Sequence, residues 1–297
     1  MAKTALIHAF MLVCLCTHAA TTFWALAHLF SRRAFGTKVL RILAVVGAVL
    51  TFIFLVVFSW WRGHLPLTNL PEALFLLSWF ILIPFLIMDY KYGMTGLAPL
   101  VMPMVFLLFL AASVMVGHQE GLRKEYYSGL IITHIAFAFA SYACFTLALA
   151  ASLAYLIRDH ELKSKRQFRV TRVLPPLEKL DFIAHRALLV GFPLLTVALV
   201  LGGIGQAVFN LLGESWYTDP RVVTAGITWI VYSILIALRL ALDRRGRGIA
   251  IMTVAAFCII VIGFVVFRTM QSGHRTGTTP QVSIATTATP GPDEGAS

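Results

Sequence analysis

Charge is scarce in this chain. Of its 297 residues, 12% are charged and 59% are hydrophobic. A soluble domain carries about 25% charged residues, so this sequence cannot coat a water-soluble body, and a water-soluble enzyme is excluded. The apolar content equally excludes a disordered chain. Acidic residues are the fewest, 13 Asp and Glu against 24 Lys and Arg, a net charge of +11. On a soluble protein that balance would suggest nucleic acid. On a membrane protein it marks basic cytoplasmic loops, and no nucleic-acid partner is expected. The four cysteines, Cys14, Cys16, Cys144 and Cys258, sit inside apolar runs. None forms a CxxC pair or a zinc spacing, which excludes a disulfide framework and a metal cluster. Also missing are a phosphate-binding glycine loop, a Ser-His-Asp arrangement, an HExxH motif and paired carboxylates.

What is present is hydrocarbon in long runs. A bilayer core of about 30 Å needs about 20 apolar helical residues, and eight stretches qualify: 5–30, 40–61, 72–89, 94–117, 128–157, 182–211, 222–242 and 248–268. The first is too long for a signal-peptide core and ends in Ser31-Arg32-Arg33, not at a small-residue cleavage site. The expected fold is therefore all-α, a polytopic membrane bundle of about eight helices spanning 1–271. The remainder, 272–297, is read as a tail, Thr/Pro/Gly-rich and disordered after His274. Lys and Arg orient the bundle. Seventeen of the 24 fall after spans one, three, five and seven, eight of them between Arg158 and Arg186. The positive-inside rule puts those loops in the cytoplasm. Both termini and loops 62–71, 118–127 and 212–221 then face outward. Segment 159–181 is expected to hold an interfacial helix, broken by Pro175-Pro176.

Ionisable residues inside a bilayer are costly, so they are functional candidates. His134 falls just inside the outer end of span five, and His274 just past the outer end of span eight. Two imidazoles from separate helices suit axial ligation of haem iron, because a planar macrocycle leaves two opposite positions open. By position alone, His134 also reads as a packing histidine and His274 as an exposed tail residue. His8 and His18 lie about 15 Å apart along span one and about 80° apart around it, too far for one metal. An interhelical hydrogen bond is expected of mid-bilayer His18. His185, beside Arg186, reads as a snorkelled interfacial residue. His28 and His160 receive no role; His64 and His118 are outer-loop residues that could assist a site there.

Two outer loops carry more than connection. In Gly213-Glu214-Ser215-Trp216-Tyr217-Thr218-Asp219-Pro220-Arg221, two aromatics adjoin an acid and a proline. That is either an interfacial aromatic belt or a flat apolar shelf for a ring ligand, with Arg221 able to meet a carboxylate. In the loop before span three, Asn69 is placed to cap the helix. The pairs Gly191-Phe192-Pro193 and Gly202-Gly203 permit a kink and close helix approach in span six.

Six fragments in order resemble the cytochrome c assembly membrane proteins of the CcsA/HemX type, relatives of the haem-handling CcmC and CcmF proteins. They are Asn69-Leu70-Pro71-Glu72-Ala73-Leu74 with Ser78-Trp79; His134 with Ser141-Tyr142-Ala143; Leu174-Pro175-Pro176-Leu177-Glu178; Gly191-Phe192-Pro193-Leu194-Leu195-Thr196; Gly213…Trp216…Asp219-Pro220…Ile227-Thr228-Trp229; and Ser272-Gly273-His274. The likeness covers about 60–270. It implies that the 213–229 region corresponds to the family's tryptophan-rich WWD loop. It also implies that His134 and His274 are the axial pair holding haem b at the outer face, with Trp216 and Asp219 as the surviving loop positions. The implied partners are membrane lipid, haem and another cytochrome c maturation protein or a haem-biosynthesis enzyme, and the implied site is the bacterial inner membrane.

The chain departs from that pattern. Tyr217, Thr218 and Thr224 stand where the loop usually has more tryptophans, and Ala237 stands where haem-lyase members carry a histidine. The lyase's large periplasmic partner domain is also absent from the sequence. These departures argue against a full haem-transfer enzyme. Three readings follow: a haem-handling assembly factor presenting haem at the outer face, a HemX-like membrane regulator or scaffold of haem biosynthesis with little haem, and a small-molecule permease. The permease would carry inverted repeats, and no convincing repeat is present.

Overall fold

The computed structural model describes residues 2–30, 36–67, 69–116, 128–164, 173–210, 213, 215–241 and 246–275, with side chains at all of these except 2, 3, 30, 221 and 264–275. Among the described residues the chain is all-helical. Its helices are α1 (Ala2–Phe30), α2 (Gly36–Arg62), α3 (Leu70–Tyr92), α4 (Ala98–Met115), α5 (Gly129–Ser164), α6 (Leu177–Phe209), α7 (Pro220–Ala241) and α8 (Arg247–Arg275). Short 3-10 turns at Thr95–Leu97 and Trp216–Thr218 precede α4 and α7. The first seven are long and apolar enough to cross a membrane; over Arg247–Gly263, α8 is apolar but shorter.

Local chemistry sets the ends. The Asn69 side chain accepts the Glu72 N–H at 3.1 Å, capping α3, with Pro71 in its first turn. Gly93, at φ +65°, ends α3 by donating its N–H to the Asp89 carbonyl. Pro175 and Pro176 stop any helix before α6, as the sequence requires. The expected interfacial helix is not a separate element: α5 runs on to Ser164, and residues 165–172 lie outside the described set. The extra turns of α5 are held by Lys163 on Asp159 (2.9 Å) and by Arg158 donating to the Leu174 carbonyl (3.1 Å).

Cross-helix contacts show neighbours running antiparallel. Trp79 Nε1 of α3 donates to Ala48 O of α2 near mid-helix, and Arg41 of α2 meets Asp89 of α3 at one end. Arg239 of α7 likewise meets Asp181 of α6 at that end, while Trp229 donates to Thr196 farther along. The ion pairs thus gather at one pole of the bundle: Arg41–Asp89 and Arg239–Asp181, each 2.6 Å, and Asp159 between Lys163 and Arg247. We call it the charged pole. The starts of α3, α5 and α7 and the ends of α6 and α8 lie at the other, the loop pole.

The core has two parts. Around α5 it is built on small residues, including Ala143, Ala148, Ala151 and Ala154, which let helices approach closely. Between α1, α2, α3 and α4 it is aromatic, with Phe54, Phe58, Phe75 and Phe109 buried and the Phe75 and Phe109 rings 4.8 Å apart. His18 makes its interhelical bond there, Nε2 to Thr51 Oγ1 at 2.8 Å, beside Gly47. The opposite face of α2, with Ile42, Val49, Phe52 and Val56, is exposed hydrocarbon, the surface that lipid covers.

Candidate functional site

His134 lies one to two turns into α5 at the loop pole. Its Nδ1 is 2.6 Å from the carbonyl oxygen of Ala198 on α6. A carbonyl only accepts, so Nδ1 carries the proton, and in the neutral ring the lone pair is on Nε2. Metal-ligating histidines are fixed by this arrangement: the second nitrogen donates to a carbonyl and orients the ring. The ring fits because Gly202, one turn beyond Ala198, has no side chain. A Cβ there would stand 2.9 Å from His134 Cε1 and 3.1 Å from Nδ1. The bond is also what a packing histidine makes, so the helix-packing expectation and the ligand expectation meet in one geometry. Ala198 and the Gly202–His134 contact were not identifiable from sequence, since 64 residues separate donor from acceptor. The adjacent Gly203, grouped with Gly202 as an approach residue, has nothing within 4 Å of a built Cβ and does not serve that role.

Trp216 and Asp219 occupy the turn that enters α7. Trp216 begins the 3-10 turn, and the Asp219 N–H donates to its carbonyl at 3.2 Å. The Asp219 carbonyl accepts from Val223, and Pro220 opens the helix, where its missing N–H costs nothing. Trp216 is 41% exposed and Tyr217 64%. Their rings meet edge to face at 82°, so the two aromatics do not share one plane. Trp229, two turns deeper, donates to Thr196 Oγ1 at 3.0 Å and ties α7 to α6.

His274 falls in the last turn of α8, not beyond the helix as expected. Its side chain, those of Arg221 and Arg268, His118 with the 118–127 loop, Glu214 and the 276–297 tail lie outside the described residues. The geometry therefore brings the backbone of the four proposed positions to one pole: the start of α5, the turn before α7 and the end of α8, with α8 packed on both α5 and α7. Among the described residues no three His, Cys, Asp or Glu side chains gather as a metal centre. A haem needs only two axial ligands, so that finding bears on a cluster and not on haem.

The arrangement defines an all-helical, multi-pass membrane protein with a carbonyl-oriented histidine at one pole. It belongs to the Cytochrome C assembly protein family, whose pattern it matches over residues 67–274. It is 25% identical over 254 residues to Protein HemX of Bacillus subtilis, covering 85% of this chain and 91% of that one. To Protein HemX of Brevibacillus brevis it is 30% identical over 249 residues, 80% and 85% of the two chains. To the cytochrome c biogenesis protein CcsA of Prochlorococcus marinus subsp. pastoris it is 27% identical over 240 residues, 72% and 76%. Membership ties the chain to cytochrome c biogenesis and to haem handling at the level of the family.

Proposed function

We propose that this protein handles haem in cytochrome c maturation and presents it at the outer, periplasmic face of the bacterial inner membrane. Residues 1–271 form the membrane domain and 272–297 its periplasmic tail. His134 and His274 are the axial ligands to haem b, and Trp216 and Asp219 shape the surface beside it. The observation that carries this reading is the 2.6 Å bond from His134 Nδ1 to Ala198 O, which leaves Nε2 as the free nitrogen of a fixed ring. Bound haem would supply a redox-active iron open to imidazole ligands. The chain's part is to hold the His134 ring oriented toward it and to offer the Trp216 ring as an apolar contact. The charge asymmetry supports the side: the pole bearing the ion pairs is the one whose loops hold most Lys and Arg. A Soret band in the purified full-length protein tests the reading.

A second reading has its own support. The chain covers 91% of the Bacillus subtilis HemX, and Ala237 replaces a histidine expected of haem lyases. Both favour a HemX-like membrane regulator or scaffold that holds little haem and contacts a haem-biosynthesis enzyme. A colourless protein with an intact fold selects it.

A further inference from the structure

A cavity of about 510 Å³ opens between α3, α4, α5, α7 and α8. That size is in the range of small-molecule pockets, about 300–1,000 Å³. Most of its wall is hydrocarbon, with Leu77, Met104, Leu108, Phe139 and Phe257 among the lining residues. The exception is a group of hydroxyls. Thr224 and Thr228 of α7 and Tyr142 of α5 line the cavity. Thr224, Thr228 and Tyr232 recur every four residues, which puts them on one face of α7. Gly263 lets α8 close against Thr224 at the cavity's end nearest the loop pole.

These hydroxyls differ from the other helical threonines. Thr146, Thr196 and Thr253 each return their hydroxyl to the carbonyl one turn back, at 2.8, 3.0 and 2.8 Å. Among the described residues neither Thr224 nor Thr228 makes such a bond, and Thr228 is 1% exposed. Behind them the Tyr232 hydroxyl and Ser141 Oγ are buried with no partner. Buried hydroxyls that lack acceptors are costly in an apolar interior. One wall of the cavity therefore presents hydroxyls that no helical carbonyl engages, each able to donate a hydrogen bond to a guest.

Charge limits what can partner these hydroxyls. The described lining holds no Lys, Arg or His. Against those residues a phosphate or carboxylate meets no counter-charge, which disfavours phospholipid head groups and porphyrin propionates. An uncharged carbonyl suffers no such penalty. We propose that this cavity binds a neutral lipophile whose carbonyl oxygen accepts from Thr228. That chemistry is shared by an isoprenoid quinone and the ester region of a diacylglycerol. The proposal does not depend on the haem reading.

The test is native mass spectrometry of the full chain in detergent, titrated separately with decylubiquinone, dioleoylglycerol and decylbenzene, which has no carbonyl. Thr228→Val removes the donor and keeps the shape; Ala225→Phe fills the cavity. Wild type is expected to bind a carbonyl probe saturably at one per chain. Thr228→Val should weaken it about 5- to 10-fold, as loss of one hydrogen bond does. Decylbenzene should not distinguish wild type from Thr228→Val, and Ala225→Phe should abolish saturable binding. Decylubiquinone sensitive to Thr228→Val assigns the quinone source; dioleoylglycerol alone, with the same sensitivity, assigns the ester. Equal binding of carbonyl probes to wild type and Thr228→Val, or no saturable binding of either to wild type, overturns the proposal. If Thr228→Val does not fold, Thr228→Ala, which also removes the donor, carries the same comparison.

Discussion

Gly202→Ala places a methyl group against the ring of His134. The built Cβ stands 2.9 Å from Cε1 and 3.1 Å from Nδ1, closer than carbon and nitrogen rest. Either the ring or α6 must give, and the bond from Nδ1 to Ala198 O is the contact that fixes the ring. A net hydrogen bond is worth about 0.5–1.5 kcal/mol. If the bond orients the ligating nitrogen, haem affinity should fall about 3- to 10-fold. Gly203→Ala is the matched control, because a Cβ there meets nothing within 4 Å. Both variants gain helix propensity, about 0.5–1 kcal/mol for Gly to Ala. Gly203→Ala should therefore be more stable than wild type and keep its haem. Gly202→Ala should trail it by about 1 kcal/mol in thermal unfolding and show a disturbed Soret band. Haem titration and unfolding of the two purified proteins decide it. The same spectrum and affinity in both variants would refute the placement of the ring against Gly202.

Three further outcomes follow from the same structure. Trp216→Ala should lower haem occupancy several-fold in a well-expressed protein, measured by pyridine haemochrome; unchanged occupancy would reduce Trp216 to an interfacial anchor. His18→Ala should lower thermal stability by about 1–3 kcal/mol, because Thr51 Oγ1 loses its buried partner, while haem content stays at the wild-type level; loss of haem at unchanged stability would contradict a purely packing role. A reporter fused after Arg245 should be cytoplasmic and one after His274 periplasmic; the same side for both would break the orientation taken from Lys and Arg.

Helix number was legible because hydrocarbon runs of bilayer length are hard to mistake, and the start of α3 came within a few residues where Asn69 caps it; α6 starts earlier than its apolar run, at Leu177 directly after Pro176 and not at 182. Where no cap intervenes, hydropathy misplaced the end. The run ends at Ile157, but the helix continues to Ser164, because Arg158 finds the Leu174 carbonyl and Lys163 finds Asp159. Hydropathy marks where lipid stops, not where backbone hydrogen bonding stops. His18 was legible as a hydrogen-bonding residue, but its partner Thr51 was not. Gly202 and Gly203 are indistinguishable as letters; one faces an imidazole and the other faces open space. The hydroxyls of Thr224, Thr228 and Tyr232 show helical spacing in the sequence, yet only the packing shows that helical carbonyls leave them unmatched. The site resisted most, since the chemistry of His134 depends on a carbonyl, which every residue has.

The absorption spectrum of the purified full-length protein and its His134→Ala and His274→Ala variants bears most directly on the central claim. Wild type should show six-coordinate, low-spin haem. Each variant should lose that form or lose haem, and added imidazole should partly restore it by occupying the vacated axial position. The double variant should hold little haem. Wild-type spectra from both single variants would contradict the axial pair, leaving His134 as a packing residue tied to Ala198 and the HemX-like regulatory reading in first place.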